Sequence, residues 1–140
     1  LFRGGWLHSG DLAHFDEDGY VWFVGRQKLM IVRRGSNIAP AEVEAIIDEH
    51  PLVHASVVVG LDDSRDGQVP VACVALLDAK ADSTSDSHES AIRDYVRQHL
   101  AAYKNPVNYL FLDELPRTGT GKFDRHRLQD LVLSQLGPRD

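Results

Sequence analysis

Two apolar runs, SVVVGL at residues 56–61 and QVPVACVALL at residues 68–77, constrain the fold more than any other feature of the chain. Both are rich in β-branched residues and read as core strands. Helical periodicity appears around them. Pro40 opens one helix at the position where a missing N–H costs nothing. In that helix Val43, Ile46 and Ile47 share one face, Glu42, Glu44, Asp48 and Glu49 the other, and Pro51 stops it. A small polar stretch at 80–87 reads as a loop, with Asp86 and Glu89 as a capping pair for a second helix. Ile92, Tyr95, Val96, His99 and Leu100 form the buried stripe of that helix, with His99 a half-buried flank rather than a ligand. Leu128, Leu131, Val132 and Leu136 carry a closing helix. Short strands are expected at 28–32 and 109–112. Before them, β-formers at 11–15 and 20–25 flank Asp-Glu-Asp-Gly, a hairpin signal with Gly19 where a positive φ is wanted. The pattern is α+β: a β-hairpin followed by a small mixed sheet packed with about three helices.

A length of 140 residues allows one domain, or a small domain with a piece of its neighbour. The net charge of −6 gives no general attraction for nucleic acid or anionic membrane, so any anion must be met by a local cluster. The single cysteine, Cys73, lies in an apolar run; it excludes an internal disulfide and suits a buried thiol in a reducing cytoplasm. No apolar run approaches membrane-spanning length and no signal peptide is visible. The chain starts without methionine, so it is expected to be a segment of something longer. Its seven histidines do not fall into zinc spacing; His50 and His54 straddle Pro51 and cannot share a helical face, so no metal site is expected. Trp6 and Trp22 read as packing residues of the hairpin region.

Chemistry concentrates in three places. The stretch LPRTGTGKFDR, residues 115–125, surrounds Lys122 with glycines and threonines. It is not a phosphate-binding P-loop, because Pro116 stands where that motif needs glycine and Phe123 where it needs Ser or Thr for magnesium. The other two are Ser9-Gly10-Asp11, and Gly25-Arg26-Gln27-Lys28 running into Gly35-Ser36-Asn37-Ile38-Ala39-Pro40-Ala41-Glu42-Val43-Glu44. Each is weak by itself, a turn or a solvated strand end.

In order and spacing together they closely resemble the adenylate-forming enzyme family of acyl-CoA synthetases, beetle luciferases and peptide-synthetase adenylation domains. The resemblance implies that residues 1–27 are the terminal hairpin segment of a large N-terminal domain and residues 28–140 the mobile C-terminal lid. It implies ATP, with magnesium held mainly by the N-terminal domain, then CoA as acyl acceptor and a small carboxylic acid, fatty or aryl, as substrate. Asp11 matches the family's ribose-binding aspartate, Arg26 its nucleotide-contacting arginine, Lys28 its hinge residue and Lys122 its catalytic lysine for adenylation. The loop Arg33, Arg34, Gly35, Ser36 and Asn37 would face CoA, with Gly35 letting backbone approach the pantetheine arm and the two arginines meeting CoA phosphates. A fragment of this kind would be inactive without the N-terminal domain. Amino-acid adenylation, or a non-catalytic interaction module, are the alternatives. The sequence departs from many members at Leu29, where an acidic residue is common, at Arg33-Arg34, where small residues are, and at Val32, where luciferases carry a second lysine.

Overall fold

The computed structural model describes residues 2–77 and 85–139. Two short antiparallel ladders come first: β1 (Phe2–Arg3) with β2 (Trp6–Leu7), and β3 (Asp11–Phe15) with β4 (Val21–Arg26). Gly19 has φ +84° in the β3–β4 turn, as expected. Residues expected to open a strand at position 28 instead form one 3₁₀ turn, Gln27–Leu29. The strand begins only at Ile31, because Met30 is the first residue past that turn to take extended backbone.

The main sheet contains β5 (Ile31–Arg33), β6 (Ser36–Ile38), β7 (Val53–Asp63), β8 (Gly67–Leu76) and β9 (Asn108–Phe111). Its order is β6-β5-β8-β7, with β9 joining β8 in parallel. The two apolar runs of the sequence are the heart of β7 and β8, paired antiparallel from Ala55↔Ala75 to Asp63↔Gly67. Helices α1 (Pro40–Asp48) and α2 (Ser85–His99) cover one face, and α3 (Arg125–Leu136) the other.

Period-two alternation divides the core. Val57, Val59 and Leu61 with Val69, Val71 and Cys73 face Leu128 and Val132 of α3. Val58, Ala72 and Val74 face Val43 and Ile47 of α1 and Ile92 and Val96 of α2. Val53 also lies on the α1 and α2 side despite its odd number, because a register shift between Val53 and Ala55 flips the parity. Cys73 is fully buried and free, and burial pushes its thiol up to about 12.

Helix α2 is helical from Ser85, so residues 85–87, read as loop, are in its first turn; residues 80–84 of that stretch and the side chain of Asp86 lie outside the described residues. His99 is exposed, stacked on Tyr95 with ring centroids 4.1 Å apart. Among the described residues Trp6 and Trp22 are not packed into a core: they are 76% and 56% exposed, although Trp22 Nε1 donates to Asp16 Oδ2 at 2.7 Å. Among the described residues no helix is long and apolar enough to cross a membrane.

Candidate functional site

Asp11 and Arg26 are the first and last residues of the β3–β4 ladder and sit directly opposite each other. Arg26 Nε donates to Asp11 Oδ1 at 2.8 Å. The backbone before them is shaped by Gly10, whose φ of +79° an L side chain resists, and whose carbonyl accepts from Gln27 N–H at 2.8 Å. Ser9 Oγ accepts from the Asp11 amide. The pair is thus fixed from both ends, yet 59% of the Arg26 side chain and 34% of the Asp11 side chain meet solvent. Lys28 follows in the exposed 3₁₀ turn. It borders a cavity of about 340 Å³ whose other walls include Pro40, Val58, Arg125 and Gln129.

The lysine loop is an ordered hairpin. Arg117 bridges Phe123, Thr118 N–H donates to Lys122 C=O at 2.7 Å, and Gly121 N–H closes a turn onto Thr118 C=O. Gly121, at φ +85°, supplies the left-handed step that turn requires. The Thr118 and Thr120 hydroxyls meet at 2.9 Å. Arg117 donates to Gly121 C=O and lays its guanidinium over the Phe123 ring, 4.3 Å from the centroid. At the base, Asp124 N–H donates to Pro116 C=O, and Asp124 Oδ1 caps α3 by accepting from Arg127 N–H. Among the described residues the Lys122 ammonium has no partner, and the side chain is exposed.

The segment 33–37 is a two-residue hairpin between β5 and β6, with Arg33 paired to Ser36. Arg34 at φ +49° and Gly35 at φ +80° form the turn, the pair of positive values that matches strand twist. Among the described residues a Cβ added at Gly35 would meet nothing within 4 Å, so the positive φ of the turn is what calls for glycine. Arg33 and Arg34 both donate through Nε to Asp66, at 2.8 and 2.6 Å, and Arg34 N–H donates to Asp66 C=O. The two side-chain hydrogen bonds hold the Asp66 carboxyl below its ordinary range. Ser36 and Asn37 are exposed on β6.

Sequence reading did not anticipate what Arg33 joins. It lines a cavity of about 540 Å³ with Arg93, Arg97 and Arg139. Each guanidinium is held by a carboxylate: Arg33 by Asp66, Arg93 by Glu89, Arg97 by Asp94 and Arg139 by Asp63. Asn105 also lines the space, and among the described residues its buried Oδ1 has no partner. Arg33 ends β5, Arg93 and Arg97 lie one turn apart on α2, and Arg139 is in the tail after α3, so no linear motif announces the four together. Glu44 was also missed. Its expected place on the solvated face of α1 is wrong: its side chain is 14% exposed and pairs with Arg125. Among the described residues no group of His, Cys, Asp and Glu could hold a metal ion.

Residues 42–122, from the first turn of α1 to the lysine, match the model of the AMP-binding enzyme C-terminal domain. The chain belongs to that family. A 2-succinylbenzoate–CoA ligase of Geobacillus kaustophilus is 41% identical over 130 residues, 93% of this chain and 26% of the relative. A medium-chain fatty-acid–CoA ligase of Escherichia coli is 39% identical over 136 residues, 97% of this chain and 24% of the relative. Among solved structures, the o-succinylbenzoate CoA synthetase of Bacillus subtilis, in complex with its acyl-adenylate intermediate, superposes with a TM-score of 0.80 at 36% identity, over 92% of this chain and 25% of that one. The chain therefore spans about a quarter of the length of these relatives.

Proposed function

We propose that this chain is the hinge and lid of an AMP-forming acid–thiol ligase. A carboxylate first displaces pyrophosphate from ATP to give an acyl-adenylate; the CoA thiol then displaces AMP to give the thioester. The observation that carries the reading is Lys122: an exposed ammonium, unpartnered among the described residues, on a hairpin whose turn and threonine hydroxyls are hydrogen-bonded internally. During adenylation two anionic groups converge and charge moves toward pyrophosphate, so a positioned point charge stabilises the transition state more than the separated reactants.

The other residues fit the same cycle. The Asp11 carboxylate can accept from two ribose hydroxyls, and Arg26 beside it donates to nucleotide oxygens. Lys28, in its short exposed turn, is the hinge about which the lid rotates between half-reactions. Rotation withdraws Lys122 and brings up the turn at Gly35, while the cavity of Arg33, Arg93, Arg97 and Arg139 offers pre-oriented forks to CoA phosphates. Residues 1–27 are assigned to the N-terminal domain; the exposed Trp6, Phe15 and Phe23 support that division, since they lack cover here. ATP with magnesium, and the pocket for the acid, are assigned mainly to that domain, and the chain by itself is assigned no turnover. Relatives named for an aromatic acid and for a fatty acid keep both classes within the proposal and favour CoA ligation over amino-acid adenylation. The cytoplasm is the assigned compartment, in keeping with a free buried thiol.

The test uses the full-length enzyme. Carboxylate-dependent pyrophosphate exchange should fall by at least about 100-fold in Lys122→Ala, the scale of losing one transition-state charge contact. Thioester formation from supplied acyl-adenylate should be retained. Equal loss in both half-reactions would overturn the assignment.

A further inference from the structure

We propose that Glu44 and Arg125 are positioning residues for Lys122, bolting the base of its hairpin to the sheet so that the lysine travels only with the whole lid; this rests on the adenylation role given to Lys122 above. The hairpin's own hydrogen bonds fix its shape but not its direction. Direction is set where the hairpin enters α3, and Arg125 is the first residue of that helix, three residues after Lys122. Its guanidinium donates to Val58 C=O at 3.0 Å through one nitrogen and to the Glu44 carboxylate at 2.9 Å through the other. Glu44 in turn accepts from Val58 N–H at 2.8 Å. One guanidinium and one carboxylate thereby close a ring on both backbone groups of a single residue of β7. Three elements, α1, β7 and α3, meet in that ring.

Helix stability alone does not account for an arginine there. A cation in the first turn opposes the helix dipole, whose positive end it meets. Nor is this an exposed ion pair of little consequence, since the side chains are 29% and 14% exposed and each also binds backbone. Removing either partner leaves a part-buried charge and an unsatisfied backbone group, freeing the base of the hairpin to tilt. A shift of about 1 Å at a charge that must meet a transition state costs on the order of 100-fold.

The experiment compares Arg125→Ala, Glu44→Gln, the double variant and Arg125→Lys in the full-length enzyme, with Lys122→Ala alongside. Each single variant should lower kcat for pyrophosphate exchange by about 10- to 100-fold, while KM for ATP and thioester formation from supplied acyl-adenylate change by less than about threefold. The double variant should be no slower than the worse single one, and Arg125→Lys, keeping the charge and one bond, should fall between wild type and Arg125→Ala. The retained thioester step doubles as a check that the lid is folded. Exchange at the wild-type rate, or both half-reactions falling together in Arg125→Lys and Glu44→Gln, overturns the proposal. If Lys122→Ala itself spares exchange, the reading of Lys122 has failed; if it abolishes exchange while the Arg125 variants do not, only the positioning role has.

Discussion

His50 and Asp66 are two buried polar residues whose environments make stability depend on pH on the acid side. Arg33 and Arg34 hold Asp66 below its ordinary 3.8, so the stability of that cluster is present above the unfolded value and is lost as pH falls through the lowered one. His50 acts earlier. Burial disfavours its imidazolium and lowers its pKa from 6.5, and Nδ1 accepts from Leu52 N–H, which a proton there would forbid. Above pH 6.5 the ring is neutral in both folded and unfolded chains. Below it the unfolded chain binds a proton that the fold refuses, so stability declines until the lowered folded pKa is reached. Thermal unfolding of this domain between pH 7.5 and 5 should therefore show a falling Tm. In His50→Asn, which keeps an acceptor near Leu52 without titrating, the slope should be visibly flatter. A slope identical to wild type would assign the acid sensitivity to other groups.

At the scale of elements, β7 is an edge strand of eleven residues, and a free edge of that length invites unwanted pairing. Side chains and the C-terminal tail close it. Glu44 and Arg125 take both backbone groups of Val58, Gln129 Nε2 donates to Gly60 C=O at 2.6 Å, and Arg139 N–H donates to Asp62 C=O. Two of these caps come from α3, so the seating of α3 guards the edge as well as the lysine. Leu128 is its fully buried anchor and Leu133, 40% exposed, is not. Leu128→Ala should cost about 2–5 kcal/mol in denaturant unfolding. Leu133→Ala should stay within about 0.5 kcal/mol, and equal costs would mean α3 is not held by the packing described. The strands at the centre were legible because β-branched runs buried on both faces have few other uses. Lys122 was legible because the run Thr118-Gly119-Thr120-Gly121 directly before it marks a turn that presents one charge. What could not be read is long-range: the ring of Glu44, Val58 and Arg125 joins positions 81 residues apart at its widest, and a glutamate beside other acids on a helix looks solvated until its partner is placed. The 3₁₀ turn at Lys28 was misread as strand for a local reason. Leu29, Met30, Ile31 and Val32 form a continuous apolar run that fits a strand as well as it fits a turn entering one.

Over the whole molecule, polar and apolar surface are unevenly shared. The sheet with its helices on both faces is a closed three-layer unit with two packed cores. The hairpins before Gln27 contribute little to either core. They expose Phe2, Trp6, Phe15, Trp22 and Phe23, each more than half open to solvent. They approach the layered unit at Gly25, buried where an added Cβ would lie 3.6 Å from Ala39 and 3.8 Å from the Met30 sulfur. A concentration of large apolar groups without cover binds either a partner surface or other copies of itself. The imbalance makes a prediction about where the unit of folding ends. A chain trimmed to residues 28–140 should keep the cooperative thermal transition of the 140-residue chain, with Tm lower by no more than about 4 °C, the shift that roughly 1 kcal/mol produces in a domain of this size. The same trimming should sharply reduce binding of an apolar fluorescent dye and suppress concentration-dependent association in light scattering. Loss of the cooperative transition would mean that the hairpins, through Gly25 and its neighbours, are part of the folded core.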